Sequence, residues 1–275
     1  MTSKGEPTAG IFGFTSVLFR ILEQEKPDYL AVAFDTGKTF RDELFPEYKA
    51  TRTKMPEDLR SQIDRIRQLV DAFNIPRLEM EGYEADDVLG SAARLANARG
   101  LGVKIITGDR DLLQLVDKLT IVSLPEGKMS DSKDYITDQD VENKMGVPPY
   151  RVVDYKALLG DTSDNIPGVP GVGEKTARML IQKYHDLDNV YAHLDEIEPR
   201  WSKKLEDGKE SAYLSQTLAR IRVDLPVNID LEQARPDRYD PARVEALFNE
   251  LEFRSLMVRF RKLGEVNGPL MRPTG

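Results

Sequence analysis

Residues 103–111, Val-Lys-Ile-Ile-Thr-Gly-Asp-Arg-Asp, read as a short strand that runs straight into two carboxylates and then a helix. In open parallel sheets ligands gather beyond the carboxyl ends of strands, which places Asp109 and Asp111 where chemistry happens. The same grammar recurs upstream. The run YLAVAF reads as a buried strand ending at Asp35, and a strand near Arg77–Met80 precedes Glu84, Asp86 and Asp87 at a helix start. Helical spacing covers residues 9–24, 56–73 and 84–99, with a short helix at 112–116 and a further strand at 119–123. Pro56 with Glu57 and Asp58 suits a helix opening, because acids favour the positive end of the helix dipole. Alternating strands and helices predict an α/β domain with a parallel sheet covered on both faces.

From Thr137 onward the pattern turns helical, with TDQDVENKM, VVDYKALLG and KTARMLIQKY, then helices near 211–221 and 241–251. The expected division is an α/β domain over 1–136, a helical domain over 137–262 and a tail or linker stub over 263–275. A further pair of acids, Asp161 and Asp164 in GDTSDN, lies in the helical half and must fold back to join the others. Alone, each acidic motif is explained by helix capping or a turn. Eight carboxylates at equivalent places are not, since like charges gather only where cations neutralise them. Oxygen ligands without cysteine or a nearby histidine suit magnesium or manganese rather than zinc. Such a site suits two-metal hydrolysis of a phosphate ester.

The chain has 275 residues, no cysteine and a formal net charge of −8. Disulfides and thiolate metal sites are excluded, and a reducing, cytoplasmic setting is the simplest reading. No stretch approaches the roughly 20 apolar residues of a membrane span, so no membrane partner is expected. The eight acids account for a charge equal to that of the whole chain, so the remainder is balanced. Basic residues cluster at Lys38, Arg41, Lys49, Arg52 and Lys54, and again at Lys175, Arg178 and Lys183. Local fields rather than net charge therefore decide whether nucleic acid binds.

Two motifs fit nucleic acid. Gly168-Val-Pro-Gly171-Val-Gly173 lets the backbone turn, and Lys175 and Thr176 follow at the start of a helix whose free N–H groups suit a phosphate. A simple tight turn is the competing reading, and the lysine and hydroxyl at the helix start favour a sequence-independent backbone contact. Lys38-Thr-Phe-Arg41 and Tyr48-Lys49-Ala-Thr-Arg52 interleave cations with aromatics, which suits a single strand, Tyr48 stacking on a base. His185 and His193 lie in polar surroundings and carry no assigned role.

VAFDTGKTFRDELFPEYKATR, GYEADDVLG, TGDRDLLQLV and GDTSDNIPGVPGVGEKTA together resemble the 5′→3′ exonuclease domain of bacterial DNA polymerase I and, more distantly, flap endonucleases. The resemblance spans nearly the whole chain in order. It implies a resolvase-like or PIN-like domain followed by a helix-three-turn-helix domain containing the helix-hairpin-helix. It further implies that Asp35, Glu84, Asp86, Asp87, Asp109, Asp111, Asp161 and Asp164 surround Mg2+, with Mn2+ able to substitute, and that K+ sits at the hairpin. Lys49 and Arg52 are the implied catalytic cations, at an arch over the scissile phosphate, while Arg41, Tyr48, Gly168, Gly171, Gly173, Lys175 and Thr176 are expected to touch DNA. The implied partners are DNA flaps, nicks, duplex ends and RNA-primed ends, with a polymerase domain in the intact protein, the nuclease itself a monomer. In one respect the sequence departs from the family. The family's opening apolar strand, which ends in an aspartate, has no counterpart before TSKGEPTAG, so the sheet is expected to lack its central member. A non-catalytic DNA-binding module is therefore the alternative reading. A PIN-type ribonuclease is disfavoured by the PGVGEKTA hairpin.

Overall fold

The apolar spacing of AGIFGFTSVLFR forms α1 (Ala9–Arg20), whose Ile11, Leu18 and Phe19 are buried. A π turn at Ile21–Glu25 ends in Lys26, held in the left-handed region at φ 48°. There follow β1 (Val32–Ala33), α2 (Phe40–Leu44), α3 (Glu57–Ala72), β2 (Arg77–Leu78), α4 (Ala85–Ala98) and β3 (Val103–Ile106). A 3₁₀ turn (Arg110–Leu115) leads to β4 (Thr120–Pro125), β5 (Ser132–Tyr135), α5 (Asp138–Met145), α6 (Val152–Leu159) and α7 (Glu174–Tyr184). Then come α8 (Leu187–Ala192), α9 (Pro199–Asp207), α10 (Lys209–Ala219), α11 (Pro241–Glu250) and α12 (Arg254–Val266). This computed structural model describes residues 1–126 and 131–266. Most of the expected tail, 267–275, lies outside the described residues, while α12 occupies its start. Among the described residues no helix is long and apolar enough to cross a membrane.

The chain divides into two compact units that cut across the boundary expected at residue 137. One comprises residues 1–34, 53–79 and 228–275. Its core is aromatic: Phe19 meets Phe73 and Phe248 edge-on at centroid distances of 6.0 Å and stacks on Phe260 at 6.4 Å. Helices α1, α11 and α12 and the residue that ends α3 supply these rings, and Val32 of β1 packs against the same cluster. Arg65 ties the edge by ion pairs to Glu6 and Glu250. β1 and β2 pair in parallel for two residues each, Val32 opposite Arg77 and Ala33 opposite Leu78.

The other unit comprises residues 35–52 and 80–227. Its sheet runs β3-β4-β5, with β3 and β4 parallel and β5 antiparallel. The sequence reading of one parallel sheet thus needs correction. The described strands form two sheets, and β5, an exposed polar strand, carried no alternating apolar signal. Buried Ile105, Val122, Leu112 and Leu113 continue the core into Val152, Leu158, Leu180 and Ile181 of the helices. Thr137 caps α5 through a reciprocal pair with Asp140, as TDQD requires.

The turn between α6 and α7 carries the glycines. Gly168 (φ 62°) packs so closely that a Cβ there would lie 2.4 Å from the Gly160 nitrogen and 2.5 Å from the Leu159 carbonyl carbon. Its N–H donates to Ser215 Oγ at 2.9 Å and its carbonyl accepts from Ser211 Oγ at 2.6 Å, both on α10. Val169 and Val172 plug the turn into the core. Gly171 (φ 78°) and Gly173 stay exposed.

Candidate active site and nucleic-acid interface

Asp35, all of the acids expected from α4 onward, and the basic loop between residues 36 and 52 fall in the same unit. Local chemistry explains how each is held. Asp35 accepts the N–H of Ala85 at 2.7 Å, which brings the exposed carboxylate to the first turn of α4. Glu84 caps that helix, with Asp87 as its reciprocal partner three residues on. Asp86 therefore projects from the first turn. Burial, then the charges of Asp109, Glu84 and Asp35, push the Asp86 carboxyl up to about 7, against the lowering pull of Lys49. Asp109 caps the 3₁₀ turn by accepting the Asp111 N–H at 2.8 Å.

Asp111 and Asp161 share a cation that sequence reading overlooked. Lys156 on α6 is buried, and its Nζ donates to Asp161 Oδ2 at 2.6 Å and to Asp111 Oδ1. Burial would lower the Lys156 ammonium, yet the two carboxylates hold it above the usual lysine range. Burial would likewise raise Asp161, but Lys156 and the Ser163 N–H and hydroxyl hold it down at about 2. Burial and the charges of Asp109 and Asp161 push Asp111 up despite Lys156.

Lys49 and Arg52 lie beside these acids. Lys49 Nζ donates to Glu84, and Arg52 donates to Asp164 through both Nε, at 3.0 Å, and a terminal nitrogen. Lys49 takes a left-handed backbone conformation (φ 56°), fixed by its N–H donating to the Asp164 carbonyl at 2.8 Å. Asn165 Nδ2 donates to the Glu47 carbonyl at 2.7 Å, pinning the loop a second time.

Three expectations are corrected here. Arg41, expected to touch DNA, is only 2 % exposed and clamps Asp87 through two bonds of 2.6 and 2.9 Å. It also donates to the carbonyls of Leu218 and Arg220, both at 2.8 Å. Asp87, expected as a metal ligand, is fully buried, and Arg41 and the N–H groups of Arg222 and Glu84 saturate its oxygens. Tyr48, expected to stack on a base, is buried against Ile166, Leu218 and Ala219. Its hydroxyl lies 3.2 Å from Glu84 Oε2 and 3.3 Å from Asp164 Oδ2. A basic, aromatic loop with no apolar period gives no hint that two of its members are buried, because their partners lie far along the chain. Lys175, Gly171 and Gly173 are exposed at the start of α7, and Thr176 is half-buried. Lys204 of α9 reaches the turn, its Nζ donating to the Gly171 carbonyl at 3.1 Å.

Asp35, Glu84, Asp86 and Asp109 offer only oxygen donors, and burial with the neighbouring carboxylates raises Asp86 despite Lys49. By donor chemistry they fit a hard divalent cation. Among the described residues no three acids already stand in a ligating group. The sign of the Asp86 shift is testable on metal-free protein. A carboxyl raised from 3.8 to about 7 favours folding below its unfolded pKa, and that contribution disappears as pH rises through 7. In chelator, Asp86→Asn should therefore be more stable than wild type at pH 8, by on the order of 2 kcal/mol after allowance for solvent screening. The gain should vanish near pH 4. A pH-independent difference in thermal unfolding would contradict this account of Asp86.

Comparison with known proteins shows the family and the fold. The family model for the 5′-3′ exonuclease N-terminal resolvase-like domain matches residues 1–146, and that for the 5′-3′ exonuclease C-terminal SAM fold matches 147–242. DNA polymerase I of Caldicellulosiruptor bescii is 47% identical over 260 residues, which cover 94% of this chain and 31% of that protein. DNA polymerase I of Bacillus subtilis is 41% identical over 264 residues, covering 95% and 30%. The chain thus spans under a third of the length of these relatives. In fold, T5 5′-exonuclease with bound zinc superposes with a TM-score of 0.65 at 20% identity, covering 97% of this chain and 93% of that one. Human GEN1 in complex with Holliday junction DNA gives 0.61 at 17% identity, covering 96% and 67%. With one family model matching more than half of the sequence and a second following it directly, the chain belongs to the 5′-3′ exonuclease family, built as a resolvase-like domain followed by a SAM fold.

Proposed function

We propose that this chain is a divalent-metal-dependent nuclease that hydrolyses DNA phosphodiesters near 5′ ends, as a 5′→3′ exonuclease and 5′-flap endonuclease acting in replication and repair. The observation that carries this reading is the convergence of Asp35 on the first turn of α4, where Glu84 and Asp86 stand, with Lys49 paired to Glu84. Asp35, Glu84, Asp86 and Asp109 would hold Mg2+ or Mn2+, which supplies a lowered water pKa and neutralises charge on the reacting phosphate. Lys49 and Arg52 are tethered to Glu84 and Asp164, so each is held ready to exchange its carboxylate for a phosphoryl oxygen. Tyr48 serves from below, fixing Glu84 and Asp164 through its hydroxyl. The exposed Gly171 and Gly173 and the α7 N-terminus, with Lys175 and Thr176, would grip a duplex phosphate. At the Gly171 carbonyl, the Lys204 ammonium would compete with any K+ ion. Flaps, nicks, duplex ends and RNA-primed ends are the proposed substrates. A polymerase domain of the intact protein is the proposed neighbour, in a cytoplasmic setting.

The deciding experiment is cleavage of a 5′-labelled flap duplex in Mg2+ and in chelator. Metal-dependent release of short 5′ products supports the nuclease. Duplex binding without cleavage in either condition would leave only a DNA-binding module. The hairpin glycines separate two roles. At Gly171 a Cβ would meet only the flexible end of Lys204, at 2.6 Å, so Gly171→Val should remain folded while the strained φ misdirects its turn. Duplex affinity should fall roughly tenfold with single-strand affinity kept. Gly168→Val instead drives a side chain into backbone and should lower the unfolding midpoint itself. Equal loss of single-strand and duplex binding in Gly171→Val would remove the hairpin from the reading.

A further inference from the structure

The carboxylates of the site differ in how their charge is offset. Asp164 is paired with Arg52, Glu84 with Lys49 and Arg41, and Asp161 and Asp111 with Lys156. Asp86 and Asp109 have no ion-pair partner among the described residues, and burial and mutual repulsion act on Asp86. Lys156 is no surface lysine folded over the site. It sits in the middle of α6 with a side chain 3 % exposed, and the Asp161 side chain is 5 % exposed. Asp161 Oδ1 takes the Ser163 N–H and hydroxyl at 2.9 and 2.6 Å, while Oδ2 takes Lys156, so both of its oxygens are committed. A buried ammonium between two carboxylates satisfies the same electrostatic demand that a cation would.

We propose that Lys156 is a built-in counter-cation that holds Asp111 and Asp161 together in place of a second divalent ion. The free protein then has one tight divalent site, on the Asp35, Glu84, Asp86 and Asp109 side. A second ion has to displace the ammonium from Asp111 and Asp161. Lys156 is on this account a positioning residue, and its role rests on the metal-dependent reading of the site. Lysine gives up ligand contacts more readily than arginine would, because its single ammonium has no rigid fork to match both carboxylates at once.

Calorimetric titration of the metal-free protein with MnCl2, without DNA, tests this apart from turnover. Wild type should bind one ion tightly. Lys156→Met should bind two, the second at least about tenfold tighter than any second event in wild type. Its unfolding temperature should also rise more with added Mn2+ than that of wild type, since the ion now neutralises Asp111 and Asp161. Lys156→Arg, which keeps the charge, should return to one site. Identical stoichiometry and affinity in wild type and Lys156→Met would overturn the proposal. So would two equally tight sites in wild type, a result that needs no variant to fold. Wild type binding no Mn2+ at all would instead remove the metal-dependent reading itself, and this inference with it.

Discussion

Arg41→Ala should be the most destabilising single substitution in the site unit, costing about 3–5 kcal/mol. The guanidinium and the Asp87 carboxylate form a pair of which Arg41 is 2 % and Asp87 0 % exposed. Removing one member strands the other charge where water cannot reach it. Two further bonds disappear with the side chain, those to the carbonyls of Leu218 and Arg220 at the end of α10. Burial alone would lower the Arg41 guanidinium, but Asp87 and Glu84 hold it above the usual arginine range, so the pair is ionised in the intact protein. Arg41→Lys keeps the charge but not the fork and should fall between wild type and alanine. Urea unfolding of the three proteins measures this directly. A cost for Arg41→Ala below about 1 kcal/mol, the range of a surface ion pair, would show that the clamp is solvated. Duplex affinity of the folded fraction should hardly change, in contrast to a residue that touches DNA.

Asp109→Asn should produce the largest loss of activity. Asparagine is nearly the same size and its side-chain oxygen can still accept the Asp111 N–H, which now lies 2.8 Å from Asp109 Oδ1. The 3₁₀ turn should survive, and unfolding should shift little. What disappears is a negative charge beside Asp86, one of the four acids assigned to the divalent ion. Loss of several kcal/mol of transition-state stabilisation corresponds to a fall in kcat of roughly 10³-fold. KM for flap DNA should stay near the wild-type value, because substrate is held by the hairpin and the cations. Single-turnover cleavage with saturating enzyme separates the two. Retention of a tenth or more of the wild-type rate would mean that Asp109 serves only as a cap.

Much of this arrangement was legible along the chain because it depends on local order. Strand 103–106 ends before Asp109, α4 opens at the Glu84–Asp87 acids, and TDQD caps α5, each within a few residues of its expected position. The helices 57–72, 209–219 and 241–250 followed from apolar period and start signals. Short helices such as α2 and α9 escaped, since five or nine residues hold few apolar positions by which to recognise them. The single parallel sheet failed for a related reason. β1 and β2 span two residues each and β5 is polar, so alternation alone could not define their pairing.

By itself the sequence placed its acids at strand ends and helix starts, because residue type and strand-end position are local properties. It also placed Gly168, Gly171 and Gly173 in a turn before a helix, the first two at positive φ and the third as the residue that caps the start of α7. Only the tertiary structure decided which charged side chains act inward. Arg41 and Asp87 lie 46 residues apart, Lys156 and Asp111 lie 45 apart, and Arg52 and Asp164 lie 112 apart. A cation in a polar loop looks alike whether it faces solvent or a buried carboxylate. Folding alone removes the water that would make the two environments equivalent.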